Sequence, residues 1–454
     1  MTFYEGDPVR YYPSAVLTLV IFSITYSQVS SQDSNWPQFR GPEATGVVAD
    51  NANLPDSWSD DENVEWKVDI DGRGWSSPVV WGNKVFLTTV INSEESEEPK
   101  KGLYFGGNRL KPPASTHQYQ VLCLDLTSGS TLWKKTVLDA APQTTIHIKN
   151  SFASETPITD GKYLYALFGG MGIYCFDLDG NQVWSKELPA RKTRYGWGTA
   201  ASPVLHEDRL IILHDNDEES YLLALNKNTG EEIWRTARDE KSNWATPYIW
   251  KTKDRTEIIT PGTGKVRSYD LDGNELWSLK GMSSITIATP YEAEGLLIIS
   301  SGYIMDRSKP IYAIKPGATG DISLAKGETS NEFIAWCQPQ GGPYNPSTIA
   351  YKGILYVLHD RGYMTAFDAK TGEEVYGRQR IASTSGFTTS PWAYNDKIFC
   401  LSEDGKAYVI QAGREFKLLS QNSFEADDMG MATPAIVGDR LLIRTAARIY
   451  SIKK

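Results

Sequence analysis

The sequence predicts an all-β protein: an eight-bladed β-propeller of four-stranded antiparallel blades, its ring closed by an N-terminal strand that completes the last blade. Three observations predict this fold: a unit that recurs eight times, a hairpin that ends in an aromatic residue in most units, and a final unit that stops one strand short. Because 454 residues exceed the roughly 250 to 300 that one hydrophobic core serves, a repeated small unit is the expected solution.

The first half of each unit opens with a small residue, a proline and a β-rich run. The eight copies of this motif begin at Ser77, Thr156, Ser202, Thr246, Thr289, Asn345, Ser390 and Thr433. In most copies a turn of Gly, Asn or Asp and an apolar run follow, as in residues 82–87 and 438–443. Turn residues between two β-rich runs indicate a hairpin, so each copy predicts two strands.

The second half of each unit reads as a strand, a tight turn and a strand that ends in an aromatic side chain. These aromatic residues are Trp133, Trp184, Trp234, Trp277 and Tyr376. Thr-Gly and Asp-Gly dipeptides in the turns supply the positive φ that a tight hairpin needs. Since a four-stranded sheet cannot bury both of its faces alone, we expect the units to stack radially around a channel, with the tryptophans between neighbouring blades.

The two ends of the chain predict how the ring closes. The chain stops after a third strand at residues 448–452, and residues 63–68 supply the missing fourth strand. Joining the ends in one sheet removes two free edges. The propeller is therefore expected to span residues 63–454, and residues 32–62 are expected to form an arm on the outside of the disc. An insertion between residues 91 and 118 makes one loop far longer than hairpin loops usually are.

Residues 1–31 are predicted to be a signal peptide. An apolar run at residues 15–24 is followed by residues 29–31, which suit cleavage just before Gln32. The run is too short to span a bilayer. We expect a periplasmic or extracellular protein that keeps no transmembrane segment once the signal is removed.

Charge and cysteine usage bear on which functions are expected. A net charge of −10 and a pI near 5.2 argue against a nucleic-acid partner, which needs clustered Lys and Arg. The four cysteines, Cys123, Cys175, Cys337 and Cys400, form no CxxC motif, no haem-attachment motif and no adjacent pair. Cys123 and Cys175 stand at equivalent places where other units carry Ala, which predicts small apolar fillers; a disulfide is the alternative.

One segment carries a family resemblance. Residues 224–234 nearly complete the pattern A-x-D-x-x-T-G-x-x-x-W, which resembles the docking motif of the pyrroloquinoline-quinone-like (PQQ-like) propellers. Residues 36–42 resemble a segment that opens many exported members of that family. The family includes quinoprotein alcohol dehydrogenases and the propeller subunit of the outer-membrane barrel assembly machinery. The resemblance implies the propeller fold over nearly the whole mature chain, but the adjacent cysteine pair and the calcium ligands of the dehydrogenases have no match in this sequence.

Two sets of loops are expected to share one face of the ring: those that lead into the inner strands, and those that join the second and third strands. The candidate ligand-binding residues on this face are Arg73, Trp75, Lys149, Arg194, Trp197, His214, Asp215, Asn243, Trp244, His359, Asp360 and Arg361. Aromatic rings mixed with Arg and His suit a polar ligand or a planar ring. Two plainer interpretations stay open: the tryptophans pack the channel mouth, and the two histidines reflect descent from one repeat.

These observations lead to the hypothesis of an exported, non-catalytic binding or scaffold protein that presents this face to a protein, a polysaccharide or a small ligand. No catalytic residue and no metal ligand is predicted. The alternative is a PQQ-dependent quinoprotein dehydrogenase of the alcohol or polyvinyl-alcohol type, with PQQ and calcium at the channel mouth and Asp215 or Asp360 as base. A periplasmic assembly subunit ranks third, because it rests on the fold resemblance alone.

Overall fold

A computed structural model describes residues 1–4, 6, 35–94, 97–424 and 428–454. Their strands form eight sheets arranged as the blades of one ring, and this confirms the predicted propeller. Blade one consists of β2 (Val79–Trp81), β3 (Lys84–Asn92), β4 (His117–Asp125) and β5 (Thr131–Ala140), and blade two of β6 (Ile158–Thr159), β7 (Tyr163–Phe168), β8 (Gly172–Asp177) and β9 (Gln182–Glu187). Blade three consists of β10 (Val204–His206), β11 (Arg209–His214), β12 (Ser220–Asn226) and β13 (Glu232–Arg238). Blade four consists of β14 (Tyr248–Lys251), β15 (Thr256–Thr260), β16 (Lys265–Tyr269) and β17 (Glu275–Lys280).

The other four blades follow the same plan, with every neighbouring pair antiparallel. Blade five consists of β18 (Tyr291–Ala293), β19 (Leu296–Ser300), β20 (Ile311–Ile314) and β22 (Ile334–Gln338), and blade six of β23 (Ile349–Tyr351), β24 (Ile354–His359), β25 (Tyr363–Asp368) and β26 (Glu374–Arg380). Blade seven consists of β27 (Trp392–Tyr394), β28 (Lys397–Leu401), β29 (Lys406–Gln411) and β30 (Leu418–Ser423). Blade eight consists of β31 (Ala435–Val437), β32 (Arg440–Arg444), β33 (Arg448–Lys453) and β1 (Val64–Asp69). A short strand, β21 (Gly320–Asp321), adds to blade four in parallel with β17.

The ring closes where the sequence predicts. Strand β1 pairs antiparallel with β33, from Val64 opposite Ile452 to Asp69 opposite Arg448. Trp66 of β1 then docks on blade one, where its indole N–H donates to the carbonyl oxygen of Leu126 at 3.0 Å. The first strand of the propeller therefore belongs to the last blade.

The same docking contact joins four further pairs of neighbouring blades. The indole N–H groups of Trp133, Trp184, Trp234 and Trp336 donate to the carbonyl oxygens of Leu178, Lys227, Leu271 and Ala369 at 2.9–3.2 Å. At all five junctions the ring lies on a glycine of the next blade's turn, where a Cβ would come within 2.8 Å of it. Each of these glycines also has a positive φ, so the Thr-Gly and Asp-Gly turns serve both the hairpin and the blade junction.

Small residues face the docking tryptophans across the sheet. Cys123 is paired with Trp133, and Cys175 with Trp184, as Ala224 is with Trp234. Both cysteines are buried and unpaired with each other. This arrangement agrees with the prediction that they are small apolar fillers, and the alternative of a disulfide is wrong.

Trp277 departs from the pattern. It is fully buried, and its indole N–H donates at 2.7 Å to the carboxylate of Glu257 within its own blade. Glu257 also accepts from Ser268 and pairs with Arg255 at 2.5 and 2.8 Å. In blade five a long connection that includes β21 follows β20, so a side-chain acceptor serves here where the other junctions use a backbone carbonyl.

The repeat motif is shifted in the sixth blade. In blade two, Thr156 and then a proline precede β6. In blade six, Ser347 and then Thr348 precede β23, so Ser347 corresponds to Thr156 and Thr348 corresponds to the proline. The predicted copy at Asn345 therefore starts two residues too early. The physical reason is that the contact that recurs between blades depends on a hydroxyl before the inner strand, whereas the proline only pre-sets the backbone.

The arm, expected on the outside of the disc, crosses one mouth of the channel. It begins with Trp36, which pairs with Val80 of blade one, and later Val47 pairs with Ala393 of blade seven. Between them the guanidinium of Arg40 is completely buried, donates to the carbonyl oxygens of Thr45 and Thr348 at 2.8 Å, and lies 5.1 Å from the ring centre of Tyr291. Polar composition hid this burial from the sequence.

The predicted signal peptide lies almost entirely outside the described residues. Among the residues that the structure describes, no helix is long and apolar enough to cross a membrane. The helical content of the described chain is two single turns of 3₁₀ helix, Pro42–Ala44 and Arg194–Gly196.

Candidate ligand-binding chamber

A ring of eight hydroxyl side chains surrounds the channel axis. Its members are Ser77, Thr156, Ser202, Thr246, Thr289, Ser347, Ser390 and Thr433, one from each blade and all buried. Six of them accept a hydrogen bond at 2.9–3.1 Å from the backbone N–H of the ring residue one blade earlier. Each of these six hydroxyl groups accepts a hydrogen bond, but within the described chain none of them donates its own proton to a protein atom. We call this set the hydroxyl ring.

A chamber of about 240 Å³ is lined by all eight members of the hydroxyl ring and therefore lies on the channel axis. Phe39 of the arm reaches it from one end. At the other end it is covered by a segment we call the lid, residues 93–116 between β3 and β4, of which residues 102–104 line the chamber. The long loop noted in the sequence is this lid.

Three tryptophans line the chamber: Trp75, Trp197 and Trp244. Their indole N–H groups donate to the carbonyl oxygens of Lys149, Gly107 and Gly198 at 2.8, 3.3 and 2.7 Å. Because the three indole N–H groups already have acceptors, the tryptophans can contact a ligand through the faces of their rings. The structure thus brings four of the predicted site residues together, since Lys149 also lines the chamber, and the three tryptophans serve as lining and as packing at the same time.

The lid is fastened across the chamber by one buried ion pair. Lys149 approaches Glu403 of blade seven at 2.6 Å, and the Glu403 side chain is fully buried. Both residues also hold Gly102 of the lid: its N–H donates to Glu403 at 2.6 Å, and its carbonyl oxygen accepts from Lys149 at 2.8 Å. Thr388 donates to the same carboxylate at 2.6 Å. We call Lys149 and Glu403 the latch.

Aromatic contacts continue the lid toward blade three. Tyr104 lies over His147 with ring centres 5.3 Å apart, and Phe105 packs edge-on against Trp197 at 5.7 Å. Burial and the nearby Lys149 ammonium lower the pKa of His147 to about 4. His147 is therefore a neutral ring under the lid at neutral pH.

Two predicted arginines lie away from the chamber. Arg73 donates to the backbone of Glu97 and approaches Glu98 at 3.3 Å, so it anchors the base of the lid. Arg194 donates to the carbonyl oxygen of Ser284 at 2.6 Å and lies over Tyr195. Both bind backbone of neighbouring loops and contribute no charge to the chamber.

His214, Asp215 and Asn243 are buried within blade three and the loop that follows it. Asp215 forms a two-pronged ion pair with Arg238 at 2.8 and 3.0 Å and accepts from Asn243. Burial raises the pKa of Asp215, and Arg238 opposes that rise. The suggestion that Asp215 acts as a base stays a prediction; in this structure both of its oxygens accept hydrogen bonds from protein donors.

His359, Asp360 and Arg361 line a second cavity beside the chamber. Asp360 accepts from the backbone N–H groups of Tyr344 and Asn345 at 3.0 Å and from the Asn345 amide at 2.6 Å. Burial raises the pKa of Asp360 to about 6. These hydrogen bonds hold the loop before β23, and the suggested role of Asp360 as base stays a prediction.

Sequence reasoning missed the residues that complete the chamber. The repeat motif marks seven of the eight hydroxyl residues, with Asn345 in place of Ser347, but indicates no role for them, and no motif marks Tyr104, His147, Tyr344 or Glu403. An available signal was the unusual length of the lid loop. The pairing of Lys149 with Glu403 joins residues 254 positions apart, which no local pattern encodes.

PQQ with calcium is the cofactor that the family resemblance suggests for this chamber. PQQ is a planar ring system with several carboxylates, and calcium prefers carboxylate oxygens among its ligands. The described residues that line the chamber include no Asp or Glu, and their single Lys or Arg is Lys149, already paired in the latch. Nor do the described residues hold a group of three His, Cys, Asp or Glu suited to a metal ion. The stacking surface fits such a cofactor, but the charges do not.

Fold and site together define a closed eight-bladed propeller with a covered axial chamber. The family model described as outer membrane protein assembly factor BamB matches residues 117–375, more than half of the chain. The chain belongs to this family of PQQ-like propellers. No curated protein matches the sequence.

Solved structures share the fold at low sequence identity. BamB from Moraxella catarrhalis is 13% identical with a TM-score of 0.53, over 81% of this chain and 97% of that one. A europium-containing methanol dehydrogenase is 10% identical with a TM-score of 0.63, over 93% and 98%. Quinohemoprotein alcohol dehydrogenase from Comamonas testosteroni is 11% identical with a TM-score of 0.61, over 93% and 81%. At these identities the likeness shows the fold alone.

Proposed function

We propose that this chain is an exported binding propeller that holds one sugar ring in the axial chamber and does no chemistry on it. The single observation that carries the proposal is the pairing of tryptophan faces with the hydroxyl ring in one enclosed space. A sugar presents C–H faces, which pack on aromatic rings, and hydroxyl oxygens, which accept hydrogen bonds.

The size and charge of the chamber agree with such a ligand. Pockets for drug-sized ligands begin at about 300 Å³, so a chamber of about 240 Å³ suits a ligand of one or two rings. The described lining has no carboxylate, and its one ammonium group is occupied by Glu403. A neutral, oxygen-rich ligand meets these conditions without leaving a buried charge unpaired.

The test is calorimetric titration of the full chain with a panel of neutral mono- and disaccharides. We expect one member to bind with a Kd between about 10 μM and 1 mM, a gain of roughly 4 to 7 kcal/mol. Trp244→Ala should weaken that binding at least tenfold, whereas Trp81→Ala, which changes a tryptophan outside the chamber lining, should not. Thermal unfolding of both variants checks that they fold.

PQQ with calcium is the competing ligand in the same titration. Micromolar, calcium-dependent PQQ binding that Trp244→Ala abolishes, with no saccharide bound, would replace the proposal with the quinoprotein dehydrogenase alternative. Saccharide binding without PQQ binding supports the proposal.

A protein partner is the second candidate, favoured by exposed apolar side chains on the lid face. Leu110 and Met305 are 87% and 76% exposed, and both lie in loops that join second and third strands. A photo-crosslinking residue placed at 110 or 305 should give one defined adduct in cells if this surface binds a protein. Equal labelling from Val183, exposed on an outer strand, would contradict it.

A further inference from the structure

A groove leads outward from the chamber along blade six. It consists of two cavities of about 660 and 530 Å³. Leu103 of the lid lines the chamber and both cavities, and Tyr344 lines the chamber and the larger cavity. The chamber and the groove therefore share a wall of two side chains.

The groove is basic in an acidic protein. Its cations are Lys309, Arg361, Arg378 and Arg380, which we call the arginine groove. In the part of the chain that the structure describes, no carboxylate lies within ion-pairing distance of any of the four. The net charge of the whole chain is −10, so leaving these cations unpaired is a local departure from the protein's charge balance.

The arginines are held side by side despite their mutual repulsion. The guanidinium carbons of Arg378 and Arg380 lie 4.7 and 4.1 Å from the ring centre of Tyr363. Arg380 also donates to the carbonyl oxygens of Arg361 and Ala382 at 2.7 and 3.2 Å. Cation–π contacts and backbone acceptors stabilise the cluster without neutralising it.

Two acidic groups, Glu374 and Asp360, line the larger cavity and offset part of this charge, which leaves the cations in excess. Glu374 lines the larger cavity, and Asp360 is enclosed by N–H donors from Tyr344 and Asn345. His359 faces the cavity between Lys309 and Arg378, and its Nε2 contacts Thr365 Oγ1 at 3.1 Å. The groove thus presents hydrogen-bond donors and positive charge, the combination that binds carboxylate and sulfate groups.

We propose that the arginine groove binds the carboxylate or sulfate groups of an acidic polysaccharide, one ring of which occupies the chamber. The inference rests on the proposed saccharide binding and names its ligand class. The observations that favour a polysaccharide over an acidic protein are the wall shared with a ring-sized chamber and the polar lining of the groove, which includes Gln338 and Gln340.

The test compares acidic and neutral oligosaccharides on the full chain. The acidic probes are an oligogalacturonate and a chondroitin sulfate oligosaccharide, which separate carboxylate from sulfate, and the neutral probe is the best binder from the neutral panel. We expect at least one acidic probe to bind tenfold tighter than the neutral probe at about 50 mM salt, and to lose most of that advantage at about 500 mM.

Variants locate the effect. Arg361→Gln with Arg378→Gln should raise the Kd of the acidic probe at least tenfold and leave the neutral probe within twofold. Arg414→Gln, which removes one positive charge from an exposed turn outside the groove, should change neither. Equal losses in Arg414→Gln and the double variant would overturn the site, because they would indicate a general charge effect.

The outcomes separate the two proposals. Neutral binding with no acidic preference overturns the groove and leaves the chamber intact. Acidic binding that depends on the arginines, with no neutral binding and no effect of Trp244→Ala, upholds the groove and overturns the chamber. Binding of an acidic peptide in preference to both glycans overturns the polysaccharide assignment.

Discussion

Two segments outside the blades cross the channel, one at each mouth, and they are held by different forces. The arm is built into the protein: Trp36 and Arg40 are 1% and 0% exposed, and backbone pairing ties the arm to blades one and seven. The lid has no strand among its described residues, exposes Leu110, and depends on the latch. The comparison teaches that one mouth is closed by a buried segment with backbone pairing, and the other by a loop that side-chain contacts hold in place.

The largest expected effect is in the arm. Trp36→Ala should lower the free energy of unfolding by about 3 to 5 kcal/mol, since it removes a buried tryptophan and leaves a cavity. Gly41 makes the contact close, because any Cβ there would lie 2.6 Å from the Trp36 ring. Leu110→Ala in the lid should stay within about 0.5 kcal/mol. Chemical denaturation measures the free energy of unfolding of both variants. Equal losses in the two variants would contradict the proposed difference between the arm and the lid.

The next effect concerns the latch. Glu403→Gln should cost about 1 to 3 kcal/mol, because Lys149 and Gly102 lose a charged acceptor in a buried place. Amide exchange of residues 97–110 should accelerate while that of residues 36–48 stays unchanged. Lys280→Gln, which breaks an ion pair with the half-exposed Asp321 outside both segments, should leave both segments protected. Faster exchange in the arm would show that the two closures are coupled.

Acidification should also act on the lid alone. The pKa of His147 is lowered to about 4 by burial and Lys149, so the folded lid favours the neutral ring and that stabilisation is lost as pH falls from about 6.5 to 4. The charged groups facing it are Lys149 and Arg109, and both disfavour protonation. Lid exchange, corrected for its intrinsic pH dependence, should rise over this range, and His147→Asn should flatten the rise. A parallel rise in the arm would point to global acid unfolding instead.

Salt should give the smallest effect. Between about 0.1 and 1 M NaCl the Debye length falls from about 10 to 3 Å. The exposed pairs Arg73–Glu98 and Arg109–Glu97 should weaken, which we expect to raise lid exchange by less than about threefold. The buried latch pair is screened less, so a larger rise would mean that the latch itself is solvent-accessible.

Local sequence signals were sufficient for the fold and insufficient for the site. Turns such as Thr229-Gly230 and the docking Trp234 recur with the blade, so counting copies predicts eight blades and the closing strand. The chamber depends on contacts between distant blades, as in the latch, and on an arm whose burial its polar composition conceals. Asn345 was misread for the same reason: the local proline was visible, but the neighbouring hydroxyl that takes its place in the ring was not.

The closing pair of strands also constrains how the protein is made. Strand β1 leaves the ribosome roughly four hundred residues before its partner β33. Throughout synthesis the sheet of blade eight is incomplete. The docking place of Trp66 on blade one forms early, but the other strands of blade eight, to which Trp66 belongs, are made last. We expect a circularly permuted chain in which a linker joins residue 454 to residue 35, so that the arm is kept, and which starts between blades six and seven, to form every sheet from neighbouring sequence and so to fold faster than the natural order.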